Sequence, residues 1–175
     1  MNFEIFGPFK YPKSGNGLVD RSKGVKKEFW KSIEQCATGL SKACGCYVVS
    51  GSGPNGSLPH YVGLTHKRDF AAECSAAHVY NQMNEAIAGT RLQPSLFLIA
   101  RKTPTERFSK PSRNNYPDVK FLEQFLIGLA LDRKPTLGNL KGTKYLRGLS
   151  VSGFLNTSPG KPTKAATAFR SLMGR

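Results

Sequence analysis

The chain has 175 residues, of which 39% are hydrophobic, so length and composition fit one compact domain with extensions and exclude a largely disordered protein. Lys and Arg number 26 against 11 Asp and Glu, and the net charge of +15 favours a polyanionic partner, nucleic acid above all. No apolar run reaches the length of a membrane span and the N-terminus lacks a signal-peptide pattern. We therefore expect a cytoplasmic protein, nucleoid-associated if bacterial, with no membrane partner.

The cysteines and histidines do not have the spacing of a zinc site, because no CxxC pair recurs and no histidine stands at ligand spacing to a cysteine. The cysteines are Cys36, Cys44, Cys46 and Cys74, and the histidines are His60, His66 and His78. Since the cysteines lie in apolar stretches, we interpret them as reduced core thiols.

Residues 1–42 are predicted to form an N-terminal extension. Residues 1–23 mix glycine, proline, lysine and aromatics without a period, which indicates irregular structure. From Val25 to Leu40 the apolar residues recur three or four apart, which predicts an amphipathic helix. Docking on a sheet explains its apolar stripe, so we prefer that interpretation to contact between this helix and DNA.

Two apolar runs at residues 45–49 and 60–63, joined by a turn-rich segment, predict a β-hairpin. Each run carries a tyrosine next to small residues, Tyr47 in the first and Tyr61 in the second. A small residue beside an aromatic ring lets another backbone or a ligand approach the ring closely. The hairpin therefore has the pattern of a site. The alternative is a pair of core tyrosines with bonded hydroxyl groups.

After the hairpin, the spacing predicts a second helix capped by Thr65 or Asp69 and running to about Ala88. The apolar run Ser95–Ala100 predicts a covered strand. Asp118–Asp132 predicts another helix, stopped by a proline. Its predicted buried stripe consists of Leu122, Phe125, Leu126 and Leu129.

Glu123 is the acidic residue in the middle of this apolar helix. An isolated carboxylate beside an apolar face is unfavourable unless it is solvated or paired with a cation, so Glu123 lies at the edge of the stripe or is a ligand. The alternative is a surface carboxylate paired with Lys120 or Lys134. Asn139 follows a glycine and is either a turn residue or part of the same site.

Residues 141–175 form a basic C-terminal extension without an acidic residue, and a short helix is predicted from Thr163 to Met173. We expect this extension to pack as part of one compact domain and to hold the phosphate backbone. The alternative is a docked helix with a solvated basic face. The predicted nucleic-acid-binding residues are Lys67, Lys141, Lys144, Arg147, Lys161 and Lys164.

The central part of the chain, residues 43–140, resembles the GIY-YIG nuclease domain. The residues that carry the resemblance are Gly45-Cys46-Tyr47, Tyr61-Val62-Gly63, Glu123 on the last core helix and Asn139 shortly after it. The resemblance implies an α/β fold of the α+β type, with a small antiparallel three-stranded sheet flanked by helices. It also implies an endonuclease that hydrolyses phosphodiester bonds, in DNA rather than RNA, as a monomer or a homodimer.

The resemblance assigns a role to each of these residues. Glu123 is expected to hold one Mg²⁺ or Mn²⁺ ion together with water molecules, since Mg²⁺ needs few protein ligands. Tyr47 is expected to take a proton from the attacking water if neighbouring cations lower the pKa of its phenol. Tyr61 is expected to orient that water or the scissile phosphate. Asn139 is expected to fix a helix end or a strand beside the site.

The chain departs from the family at a basic position. Members commonly carry an arginine on the first helix after the second tripeptide, where this sequence has Ala71 and Ala72. Arg68 is the expected substitute from the preceding loop. His78 lies near a family position that helps to deprotonate the tyrosine, with a satisfied, partly buried histidine as the equal alternative. The departure leaves a second hypothesis, a non-catalytic nucleic-acid-binding module that retains the fold.

Overall fold

The structure is a computed structural model that describes residues 1–54, 56–113, 116–139, 143, 147–148, 150–154 and 160–173. The chain divides into two compact units, Met1–Asn139 and Leu140–Arg175. The first unit contains the sheet and the helices that flank it. In the described part of the chain, no helix combines the length and the apolar character that crossing a membrane requires.

The described elements follow one another along the chain as strands and helices of ordinary length. They are β1 (Asn2–Lys10), α1 (Lys23–Cys36), β2 (Gly45–Gly53), β3 (Gly56–Thr65), α2 (Phe70–Glu73), α3 (Ala77–Ile87), β4 (Gln93–Lys102), α4 (Pro117–Arg133) and α5 (Lys164–Leu172). A short 3₁₀ turn at Leu40–Lys42 follows α1.

The strands form one antiparallel four-stranded sheet in the order β1-β4-β2-β3, which confirms the α+β class. The prediction of a three-stranded sheet is wrong, because the segment expected to be irregular supplies the edge strand β1. The register of β1 against β4 shifts between Phe6 and Phe9. Gly7 and Pro8 lie at that shift, and they interrupt the alternation by which the sequence would have revealed a strand.

The sheet is covered on both faces. Successive residues of a strand point to opposite faces, so neighbouring residues of β2 show what covers each one. Tyr47 and Val49 of β2 belong to the main core, which α1, α2 and α3 complete. Cys46, one residue away, packs in a second cluster with Val119 of α4. Helices α1 to α3 therefore cover one face of the sheet and α4 covers the other.

The predicted buried stripe of α4 is wrong in part. Phe125 and Leu129 are 56% and 50% exposed, whereas Val119, Ile127 and Ala130 are buried. This helix carries apolar residues around most of its circumference, so the apolar spacing does not define which side faces the sheet. The helical angle of 100° per residue places Glu123 on the same side as Ile127 and Ala130, which is the side towards the sheet.

The single helix predicted after the hairpin is two helices. Asp69 caps α2, accepting a hydrogen bond from the Ala72 amide at 2.8 Å. The chain leaves the helical path after Glu73 and starts α3 at Ala77. At this break the Ser75 hydroxyl accepts a hydrogen bond from the Trp30 indole at 2.9 Å, which ties α1 to the break.

Candidate functional site

The tyrosine pair of the hairpin is built around Gly63. The β2–β3 register places Tyr47 opposite Gly63, and a Cβ at Gly63 would lie 2.4 Å from Cζ of Tyr47. Only glycine therefore allows the Tyr47 ring to lie against β3, as the small-residue pattern predicted. The Tyr61 ring lies beside it, with 6.2 Å between ring centroids and an interplanar angle of 39°. Tyr47 is 1% exposed, while Tyr61 is only partly buried.

Burial raises the pKa of both phenols. For Tyr47 burial is the largest cause, and nearby Cys74, Tyr61, Glu73 and Glu123 add to it. For Tyr61 burial is followed by the charges of Glu123 and Glu73. The expected lowering of the Tyr47 phenol pKa by cations is therefore wrong for the protein on its own. With the pKa of each phenol raised, both tyrosines carry their protons at neutral pH.

Glu123 reaches this site from α4, and burial raises the pKa of its carboxyl group against the smaller opposing effects of Gln124 and Lys120. Within the described residues, no Lys, Arg or His nitrogen lies within 4 Å of its carboxylate. Lys134, considered as a partner, instead lies 3.0 Å from Nδ1 of His60. Half-buried and with no described cation in contact, Glu123 is in the state that a bound metal ion would relieve.

The described donor set fits a hydrated ion better than a fully protein-bound one. The described residues contain no group of three or more His, Cys, Asp or Glu side chains placed to hold a metal. Mg²⁺ keeps several waters and is commonly bound through one or two carboxylates plus substrate phosphate. A site with Glu123 as its protein ligand is therefore compatible with Mg²⁺ and would not suit Zn²⁺.

Glu73, at the end of α2, is a site residue that sequence reasoning missed. Its side chain is 18% exposed and contacts both Arg68 and His78, with Nη1 of Arg68 at 3.7 Å and Nε2 of His78 at 3.4 Å. Its charge also raises the pKa of both tyrosine phenols. Glu73 therefore joins the predicted cation and the predicted histidine to the tyrosine pair. Within a helix predicted to be continuous, this glutamate resembled an ordinary solvated residue.

Arg68 and His78 are the more exposed residues of the site, with side chains 61% and 52% exposed. Arg68 belongs to the loop before α2, and α2 itself has the sequence Phe-Ala-Ala-Glu and so carries no cation. The helix arginine that the resemblance implies is thus absent from α2. His78 is exposed on one side and contacts Glu73 through Nε2, so the structure does not decide between its two predicted roles.

Asn139 holds the edge strand beside the tyrosines. Its Oδ1 accepts a hydrogen bond from the Val62 amide at 2.8 Å, and its Nδ2 donates to the Val62 carbonyl at 2.7 Å. Val62 lies between Tyr61 and Gly63 on β3. Asn139 therefore fixes a strand at the site, one of the two roles expected of it, and satisfies backbone groups of an edge strand.

The residues predicted to bind nucleic acid are only partly described. Lys67 is exposed in the first unit, and Arg147, Lys161 and Lys164 are exposed in the second. Lys141 and Lys144 lie outside the described residues. Exposure is compatible with phosphate contact but does not distinguish it from solvation.

No family model matches the chain, and comparisons with curated proteins and with solved structures give no match. The resemblance to the GIY-YIG nucleases therefore stays a prediction, carried by the tyrosine hairpin, Glu123 and Asn139 of the sequence.

Proposed function

We propose that this protein is a metal-dependent endonuclease that hydrolyses phosphodiester bonds in DNA. The observation that supports the proposal is the meeting of the tyrosine pair with two carboxylates from different helices. The Tyr47 ring is closed against Gly63, Tyr61 lies beside it, and the charges of Glu73 and Glu123 act on both phenols. Paired phenols beside Glu123, whose carboxylate has no contacting cation among the described residues, support a site for a cation and its phosphate ligand.

Glu123 would hold one Mg²⁺ or Mn²⁺ ion, which when bound supplies Lewis-acid stabilisation of the phosphate and activates water. Tyr61, which is partly exposed, donates a hydrogen bond that orients the scissile phosphate or the attacking water. Tyr47 is buried beside Tyr61 and fixes the position of the Tyr61 ring. Asn139 keeps the strand that carries Tyr61 in register.

The proton of the attacking water goes to His78 in this proposal. The phenols are poor acceptors because burial and carboxylates raise the pKa of each. An imidazole is the side chain that most often serves as a general base, and Glu73 contacts Nε2 of His78 and so orients the ring. Arg68, held by the same carboxylate, stabilises negative charge that develops on the phosphoryl oxygens.

The test is cleavage of supercoiled and linear DNA by purified protein with Mg²⁺, with Mn²⁺ and with chelator. Wild type should nick or cut only with metal, and Glu123→Gln should not. Glu28→Gln is the control, because Glu28 is an exposed carboxylate on α1 paired only with exposed Lys31 among the described contacts. The proposal fails if wild type binds but cuts neither DNA nor RNA, or if Glu123→Gln cuts as well as wild type.

A non-catalytic nucleic-acid-binding module is the second candidate, and one observation favours it. Helix α2 carries no cation, and Arg68 is already engaged by Glu73. If phosphate cannot displace or share that contact, charge stabilisation is lost and the fold retains only binding. Metal-independent binding of DNA without any cleavage would select this candidate.

A further inference from the structure

Three lysines form a row along α1. Lys23, Lys27 and Lys31 are spaced four residues apart, so they follow one another on the same side of the helix, and each is exposed. The buried side of α1 is formed by Phe29, Trp30 and Ile33 and is occupied by the core. The lysine row is therefore a solvent-facing surface that packing of the helix does not require.

The row is unfavourable for the helix that carries it. The first turn of α1 contains no acidic residue, although the N-terminal end of a helix favours negative charge. Like charges four residues apart also destabilise a helix. In the described part of the chain, the counter-charge in contact with the row is Glu28, 3.8 Å from Lys31, and both side chains are more than 60% exposed. The row is thus electrostatically unfavourable for the helix that carries it.

Helix α1 and the residues just before it are tied to the segment that carries Glu73 and His78. Arg21, two residues before α1, donates from Nη2 to Asn81 Oδ1 at 2.7 Å, and Trp30 of α1 donates to Ser75 at 2.9 Å. His78 lies between these two anchors in sequence and is exposed.

Helical geometry fixes the side of α1 on which the row lies. Lys23, Lys27 and Lys31 lie roughly 20°, 60° and 100° around the helix from Trp30, turning away from the buried side. Trp30 faces the break between α2 and α3 through its bond to Ser75. The lysine row therefore lies on the solvent side of Trp30, next to the break between α2 and α3 that Trp30 contacts.

We propose that the Lys23–Lys27–Lys31 row is a track for the phosphate backbone of a nucleic acid and leads it towards the tyrosine site. Successive lysines are about 6 Å apart along the axis, so each reaches a separate phosphate. A membrane surface is the weaker fit, because an interfacial helix needs an apolar face to insert, and the apolar face of α1 is buried. The track contacts backbone and carries no sequence preference of its own.

The test measures binding of a fluorescent DNA duplex in EDTA by anisotropy over a series of salt concentrations. The row variant is Lys23→Gln/Lys27→Gln/Lys31→Gln. The control is Lys10→Gln/Lys13→Gln/Arg107→Gln, which removes the same charge from exposed positions outside α1. We expect the row variant to bind at least about tenfold more weakly and to lower the slope of log K against log salt by roughly three, at about 0.9 per phosphate contact. The control should change the slope by no more than about one.

Several results would overturn the track. Equal loss in the row variant and the control would show a general effect of net charge, and an unchanged salt slope would show that the row makes no phosphate contacts. Loss of binding to phosphatidylserine vesicles with unchanged DNA binding would assign the row to a membrane. Circular dichroism and Tm exclude unfolding, since removing the row should leave the protein at least as stable.

The track and the nuclease proposal can fail separately, because binding is measured without metal. Wild type that binds through the row but never cuts refutes the endonuclease and supports the track. Normal cleavage combined with equal binding by the row variant and the control refutes the track alone. If the track and the endonuclease are both correct, the row variant should raise KM for DNA and leave kcat within about twofold. This is expected when the lost contact binds the substrate and the transition state equally.

Discussion

The tyrosine site and the lysine row are electrostatically opposite. At the tyrosine site, burial raises the pKa of the Tyr47 and Tyr61 phenols, the charges of Glu73 and Glu123 raise it further, and burial raises the pKa of Glu123 itself. Along α1, exposed cations repel one another, and Lys23 lies in the first turn, which favours anions. In the first region Glu123 has no contacting cation among the described residues, and in the second three lysines have one contacting carboxylate among them, Glu28. A metal ion would relieve the first and a nucleic-acid backbone the second, which is why positions unfavourable to the fold point to function.

The two regions also differ in how far solvent weakens their interactions. Charges in the partly buried site act through protein at a low effective dielectric, whereas those of the exposed row are screened by salt. Substitutions in the site should therefore change turnover and stability with little salt dependence. Substitutions in the row should change affinity and its salt dependence.

The largest effect is expected from Glu123→Gln. Loss of the proposed metal ligand should lower cleavage on the order of 10²–10³-fold, about 3–4 kcal/mol of transition-state stabilisation. Binding of DNA in EDTA should be unchanged. Cleavage assays and DNA-binding anisotropy on the same preparation test whether cleavage is lost while binding is unchanged. Equal losses in both would place Glu123 in binding or folding instead.

The same substitution should stabilise the protein at neutral pH. Burial raises the folded-state pKa of Glu123 above its unfolded value, so its contribution to stability is complete below the unfolded pKa and is lost as pH rises through the folded pKa. Glutamine removes this loss, so Tm should exceed that of wild type at pH 7 and approach it near pH 4. Mg²⁺ should raise Tm of wild type only. A lower Tm for Glu123→Gln at pH 7 would contradict this account.

Gly63→Ala tests whether the tyrosine geometry depends on close approach. The new Cβ would lie 2.4 Å from Tyr47 Cζ, so the ring or the strand must move, at a cost of about 1–3 kcal/mol in the free energy of unfolding. Urea denaturation measures it. Gly15→Ala is the control, because no atom lies within 4 Å of its added Cβ. A change below about 0.5 kcal/mol at Gly63 would mean that the ring is not held against β3.

Glu73→Gln should have a smaller effect, on turnover. The amide keeps the shape but loses the charge that holds Arg68 and His78, so kcat should fall about tenfold, or about 1.4 kcal/mol, with KM little changed. Glu73→Asp should recover part of the activity. A double-mutant cycle with Arg68→Ala measures the coupling directly. Faster cleavage by Glu73→Gln would show that the carboxylate competes with phosphate for Arg68.

The sequence predicted the elements whose signals are local. The hairpin is found where apolar runs flank a turn, and α4 spans Pro117–Arg133 against a predicted Asp118–Asp132 because prolines mark both ends. The edge strand β1 was missed, since Gly7 and Pro8 disrupt its alternation and only pairing with β4 makes it a strand. The break between α2 and α3 has no local signal and depends on the tie from Trp30 to Ser75.

The candidate site was predictable in its residue types and not in its electrostatics. A small residue beside an aromatic indicated that a backbone or a ligand approaches a tyrosine ring, and in the structure the backbone of β3 does so at Gly63, against Tyr47. Glu73 was not predicted as a site residue, because its partial burial lies at the end of α2, where the sequence predicted a continuous helix. The direction of the phenol pKa shifts depends on burial and on two carboxylates distant in sequence, which composition and net charge do not report.

The smallest predicted effect concerns Lys27 and sharpens the contrast between the two regions. Lys27→Gln removes the repulsion of Lys27 by its neighbours Lys23 and Lys31, and it removes a cation near the N-terminal end of α1. Helix pairs of this kind are worth about 0.2–0.5 kcal/mol each, so the free energy of unfolding should rise by about 0.5 kcal/mol at low salt. Screening should reduce the gain at 1 M salt. Urea denaturation at both salt concentrations measures this change in the free energy of unfolding. A loss of stability at low salt would show that Lys27 stabilises the fold. A lysine that serves to bind an external polyanion should instead destabilise the free protein.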